Sequence, residues 1–411
     1  MNKPLSENSE LAEERSRLIQ AIQEGEHGIE QLIQALDHSD KTIQRLARRL
    51  LRSGNKQSQQ ALVDHQPLSY FTTLGDWNFE PYDHHIGIAD PENTAYSVRM
   101  TNAGELRRRS GEYCYDLSQF DALVEDPNVT ELQALIFRID YNDWDRENTF
   151  KVALDAICEE KGRFQSLKAL FVGDSEGDRA PEFRKSKLPV FGIRPFLEAF
   201  PSLESLQVFG YFGDYERPTL NCERLEHAHL KSLIIETSDI DLKNLYQLCS
   251  MELPNLEYFE LWFGRRYNYD TAIFTLQPIF NSQIYPQLKY LGLCSSEEAD
   301  KLVQSLSNSP LINQLIGLDL KMGALSDDGI VPLLEHAQTS NLRVLSVGHT
   351  QLWPGAIESL NQVAKQVIAT YRFSLNYPNY YELDDFYADP EEIEKLDPDS
   401  IYGHRHWALH E

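Results

Sequence analysis

Few residues in this chain combine the types and spacings that covalent chemistry needs. Histidines gather at His84-His85, at His227-Ala228-His229 and at His404, His406 and His410. None of these groups has further ligands at the spacing a tetrahedral metal site uses, and the middle one is expected in a surface turn. The five cysteines, Cys114, Cys158, Cys222, Cys249 and Cys294, are scattered without a C-x-x-C pair, which suggests neither a disulfide framework nor zinc. Asp327-Asp328 stands just before a helical stretch, where negative charge favours the helix dipole and needs no reaction to explain it. The chain also lacks a glycine-rich phosphate loop, a G-x-S-x-G elbow and an H-E-x-x-H helix. The expectation is a non-catalytic chain with no catalytic residue, no cofactor and no metal.

What remains are the residue types of recognition, carboxylates and aromatics. A formal charge of -26 and a pI near 4.8 create a field that repels nucleic acid and anionic lipid and attracts basic segments. The N-terminus is polar, and no apolar run is long enough for a signal core or a membrane span. A cytoplasmic location is the expectation, with a protein as partner rather than a membrane or a nucleic acid.

The elements that must position these residues are visible as repeats. From Leu132 a pattern L-x-x-L-x-L, or close to it with another apolar residue in place of a leucine, returns at Leu167, Leu203, Leu230, Leu256, Leu288, Leu315 and Leu342, with spacings of 35, 36, 27, 26, 32, 27 and 27 residues. Each match is followed by a loop and an amphipathic stretch such as Asp300 to Leu306. Strand parity sends the leucines into a shared core and the intervening residues to the other face, and repeats of this length stack into a solenoid. Strand, loop and helix together resemble leucine-rich repeats of the ribonuclease-inhibitor type, most plainly in the run from Leu318 to Gly329. The wording of Val172-Gly173-Asp174, of Phe259 to Gly264 and of Leu291 to Ser296 is similar to that of uncharacterised bacterial cytoplasmic leucine-rich-repeat proteins, over roughly Ser97 to Gln351. The resemblance implies an α/β solenoid, parallel strands on its concave face and helices on its convex face, with no assigned reaction. The asparagine or cysteine that usually follows the strand is mostly missing, as in Lys321-Met322-Gly323, so no regular asparagine ladder is expected.

Residues 1–65 read as a small all-α module. Ile29, Leu32, Ile33 and Leu36 form one apolar stripe, and Ile43, Leu46, Ala47, Leu50 and Leu51 form another. The pair resembles one HEAT-type repeat, and a single pair must dock its second face on something else. Its outer face carries Arg45, Arg48, Arg49 and Arg52, a basic ridge suited to solvent, to an acidic partner or to the chain's own acidic tail. Residues 66–128 read as linker and N-terminal cap, 129–374 as about eight repeats, and 375–411 as an acidic tail containing aromatics.

Parity then predicts what the concave face presents: Phe171, Phe209, Tyr211, Tyr258, Trp262 and Tyr290 as an aromatic belt, with Glu236, Glu260 and Asp319 beside it and Arg138 and Lys321 as isolated positive charges. Aromatics beside carboxylates are anchor chemistry for a basic or aromatic partner segment. The leading expectation is a protein-interaction scaffold or adaptor binding through this face. The alternative is an enzyme or enzyme regulator with a site in the inserted rim loops Tyr141 to Asp145, Asp174 to Lys187, Tyr211 to Arg217 and Arg265 to Tyr269.

Overall fold

The computed structural model describes residues 5–21, 26–38, 40–65, 77–102, 115–139, 146–174, 188, 190, 192–212, 219–263, 273–336, 341–348 and 350–369. The four inserted rim loops lie almost wholly outside these residues, and the acidic tail lies entirely outside them.

A leucine at every third or second position cannot stay in water, and the chain resolves this by stacking strands in parallel. β1 (Asn78–Pro81), β2 (Thr94–Asn102), β4 (Ala134–Ile139), β5 (Ala169–Asp174), β6 (Ser205–Phe212) and β7 (Ser232–Ile240) follow one another across one sheet. β8 (Tyr258–Trp262), β9 (Tyr290–Cys294), β10 (Gly317–Asp319), β11 (Val344–Ser346) and β12 (Gln366–Ile368) continue it in chain order. The short β3 (Tyr115–Asp116) pairs antiparallel with the end of β2. Each neighbour is displaced by one whole repeat, with a register shift only at the end of the β6–β7 pairing, between Gly210 and Phe212, so Leu135, Leu170, Leu206, Leu233, Phe259, Leu291, Leu318 and Leu345 stand in a single line. The open, unclosed sheet makes this a leucine-rich-repeat solenoid.

Strands begin two residues after the first leucine of each motif. Leu132, Leu167, Leu203 and their equivalents enter the core from the turn leading into the strand, and all are buried. The opposite layer is made of helices and short helical turns. Examples are α5 (Ser118–Glu125), α6 (Arg146–Glu159), α7 (Arg194–Ala199), α8 (Leu242–Leu248) and the helix Ala299–Ser307. One continuous apolar cluster joins the leucine line to these helices. At its N-terminal end α5 inserts Phe120 against Phe137 and Phe164, with ring centroids 5.2 and 6.0 Å apart. Burying side chains of this size contributes about 1.5–3 kcal/mol each.

The sheet starts two strands before the first leucine motif. β1 and β2 occupy sequence that reads as linker and cap, and β2 pairs with β4 in the same register as any pair of repeats.

The N-terminal segment forms four helices, α1 (Leu5–Ala21), α2 (Glu26–Ala35), α3 (Lys41–Ser53) and α4 (Lys56–His65). A Cβ at Gly28 would overlap the backbone carbonyl of Ala21, so glycine is what lets α2 approach the end of α1. Leu32, Leu36, Ile43, Leu46, Leu51 and Leu62 are buried among the helices. The same apolar cluster contains Ile234, Tyr258 and Tyr290, which belong to the concave face of the sheet. The helical module therefore lies on the concave side of the solenoid.

Candidate functional site

Residues of the concave face form three rows across the strands. The first is Ala95, Ala134, Ala169, Ser205, Ser232, Tyr258, Tyr290, Gly317 and Val344. The second is Ser97, Ile136, Phe171, Gln207, Ile234, Glu260, Gly292, Asp319 and Ser346. The third runs Arg99, Arg138, Gly173, Phe209 and Glu236, and continues one position past the last paired residues into Trp262 and Cys294.

The first two rows are covered, and in two different ways. Where row one consists of alanines, Trp77 fills the space they leave and packs with Ile136 and Phe171. Where row one turns to tyrosine, the rings of Tyr258 and Tyr290 stack 4.2 Å apart with 8° between their planes, and the helical module covers them. The belt predicted from parity therefore faces the concave side, but Phe171, Tyr258 and Tyr290 are buried there rather than exposed. Parity gives the face a side chain takes and is silent about what lies over that face.

Beneath the stacked tyrosines is a closed polar network. The Tyr258 hydroxyl donates to Glu260 Oε2 at 2.7 Å and the Trp262 indole N–H to Glu260 Oε1 at 2.7 Å. The Tyr290 hydroxyl donates to Asp319 Oδ2 at 2.9 Å. Lys321 Nζ donates to the same oxygen at 2.9 Å, lies 3.9 Å from Glu260 Oε1 and stands 5.2 Å from the Trp262 ring centroid. Glu260 and Asp319 are 0% exposed and Lys321 only 3%. Lys321 is thus not the isolated charge that sequence reading makes it. Glycine at 292 is what allows this meeting: it stands between the two carboxylates, and a Cβ there would come within 2.7 Å of Glu260 Cγ.

Burial opposes ionisation of Glu260, Lys321 favours it, and Asp319 opposes it; the outcome is a carboxyl pushed up to about 8 from 4.5. Burial pulls Lys321 down, but Asp319 and Glu260 outweigh it and hold the ammonium well above its ordinary value. Because the folded Glu260 value lies above the unfolded one, the folded chain holds a proton that the unfolded chain has released between them. The stability contributed by this group is complete below about pH 4.5 and is lost as the pH rises through 8. Glu260→Gln removes the titrating group, so denaturant midpoints of the native chain should fall more steeply between about pH 5 and pH 9 than those of the variant. Parallel profiles would show that Glu260 does not titrate in that range.

The third row differs from the first two. Arg99, Arg138, Phe209, Glu236 and Trp262 are each half-buried, and the Gln207 amide reaches Glu236 Oε2 at 3.5 Å. Row three therefore places Phe209, Glu236 and Trp262 together, while Glu260 and Asp319 belong to the floor beneath the helices. Tyr211 lies in β6, but its side chain falls outside the described residues, as do those of Arg45 and Arg52. The other two arginines of the ridge meet the solenoid. Arg48 is buried, and Arg49 donates to Asn93 Oδ1 at 2.6 Å and to the Glu92 carbonyl.

Two further groups depart from their sequence reading. His227 is buried rather than in a surface turn: its Nε2 lies 3.2 Å from the Phe200 carbonyl, and its Nδ1 accepts from Leu230 N–H at 3.0 Å. Burial pushes its pKa down, so it serves as a neutral brace between repeats. His84 and His85 gain a neighbour in Asp83, with ligand atoms of all three exposed residues within 4.8 Å of one another. A run of adjacent residues matches no ligand spacing, which is why sequence reading passes over it. Among the described residues no helix is long and apolar enough to cross a membrane.

No family model and no curated protein matches the chain. Among solved structures it is similar to a protein from Bacteroides fragilis, with 23% identity and a TM-score of 0.52 over 63% of this chain and 71% of that one. An internalin from Listeria monocytogenes aligns over 82% of this chain and 91% of its own, at 12% identity and a TM-score of 0.28. The first likeness is one of fold alone, and the second is too slight to carry an argument.

Proposed function

We propose that this chain is a non-catalytic scaffold that binds a protein partner through its concave face, and that the partner offers a basic or aromatic segment. The observation that carries this reading is the third row: Phe209, Glu236 and Trp262 lie side by side on a rigid sheet, half-open where rows one and two are covered. An aromatic, a carboxylate and an indole so arranged suit an arginine or an aromatic side chain. Phe171, Tyr258, Glu260, Tyr290 and Asp319 belong to the same face but are buried there, so the reading rests on row three.

The nucleophiles support a non-catalytic role. Cys222, Cys249 and Cys294 are buried, with burial raising each thiol, and a protonated, enclosed thiol is inert. Within this proposal the repeats are of the ribonuclease-inhibitor type, the N-terminal helices are a HEAT-like pair with neighbours, and the chain works in the cytoplasm of a bacterium.

Affinity capture with the full chain and with the variant Phe209→Ala/Glu236→Lys tests it. Interface anchors typically cost about 2 kcal/mol or more when truncated, so the variant should retain less than roughly a tenth of the partner. Equal retention by both would remove the concave face from consideration.

A further inference from the structure

We propose that helices α1 to α4 are a displaceable occupant of the concave face, and that the partner segment this face accepts is an arginine-bearing amphipathic helix of the same chemistry. The proposal rests on the scaffold reading and names the class of its ligand. The helices carry an apolar centre of their own, from Leu18 and Leu32 to Leu46 and Leu62, so they do not depend on the sheet for every buried contact. Both tyrosine hydroxyls donate within the sheet, to Glu260 and Asp319, and Ile234, Tyr258 and Tyr290, with Ile316 beside them, share the helices' apolar cluster. Lifting the module therefore exposes an apolar patch and leaves these two hydrogen bonds in place.

The edge of the contact is polar and reachable by salt. Arg15 pairs with Asp90 at 2.6 Å, with side chains 30% and 27% exposed. Arg49 holds Asn93 and the Glu92 carbonyl. Ion pairs of this exposure are individually weak and screened by salt. A chain of charge -26 thus holds its own basic helix against an acidic turn, and a foreign helix with an apolar stripe flanked by arginines meets the same complementarity. While the tethered module is seated, such a ligand binds only the open fraction, and its apparent affinity falls by that fraction.

The experiment uses the full chain and a fluorescein-labelled peptide of residues 26–53 as probe, followed by anisotropy. Arg15→Glu/Arg49→Glu unfastens the module and should tighten peptide binding roughly tenfold. The charge swap Arg15→Glu/Asp90→Arg restores the first pair and should return binding to the native level, which a merely misfolded variant would not do. Adding Tyr258→Ala/Tyr290→Ala to the unfastened chain should abolish the gain. Equal peptide affinity in the native, unfastened and swapped chains overturns the proposal, as does a gain that ignores the two tyrosines. Failure of the scaffold reading looks different: partner capture then ignores Phe209→Ala/Glu236→Lys while peptide affinity still follows the arginines.

Discussion

Lys321→Met should destabilise the chain by about 3–5 kcal/mol, the loss expected when a buried ion pair keeps its anion and loses its cation. Lys321 is the cation shared by Asp319, at 2.9 Å, and Glu260, at 3.9 Å. Methionine matches its length and removes its charge, leaving two carboxyls facing one another across Gly292 without that cation. Glu260, whose carboxyl is pushed up to about 8, sheds its charge in acid, so the cost should shrink there. Denaturant titrations at about pH 5 and about pH 8 measure this directly. A loss under about 1 kcal/mol at both pH values, as for an exposed lysine, would mean that the network contributes nothing beyond its packing.

Phe259→Ala should cost about 3–5 kcal/mol for a different reason, a cavity in a core that relaxes only partly. Phe259 is fully buried on the leucine side of β8, its ring centroid 5.6 Å from that of Tyr285. Tyr285 in turn donates to the Leu248 carbonyl at 2.6 Å, so the cavity opens beside the tie that joins one repeat to the next. Because each unit of a solenoid touches only its neighbours, faster hydrogen exchange should be confined to β7, β8 and β9 and their helices. Exchange spread evenly from β2 to β12 would show that the array opens as one body.

The two substitutions mark what sequence could and could not tell. Phe259 and Lys321 were both assigned a face by strand parity, and parity also set the line of leucines and the register of eight repeats. Periodicity is a local property, written in consecutive residues, and survives without knowledge of the rest of the fold. The covering of Tyr258 and Tyr290 was not legible, since it depends on helices more than 180 residues upstream, and their apolar stripe carried no address. The partners of Lys321 were hidden for the same reason: an ion pair within two residues on a strand is readable only once a glycine on the neighbouring strand is known to leave room. Early strands β1 and β2 lack the leucine motif and lie in sequence that reads as linker and cap, where the alternation of Tyr96 to Met100 is the one strand signal. His227 looked like a turn residue because nothing nearby in sequence revealed the Phe200 carbonyl that it reaches.

The seating of the helical module on Ile234, Tyr258 and Tyr290 has a consequence for synthesis on the ribosome. α1 to α4 emerge before the strands, and their landing surface emerges only after β9 has been translated. During that interval an apolar helix pair waits with one face bare while the strands assemble beside it, in order, each on the last. The module's contact with Tyr258 and Tyr290 therefore forms late, across more than 180 residues of intervening chain, after most of the strands have already stacked.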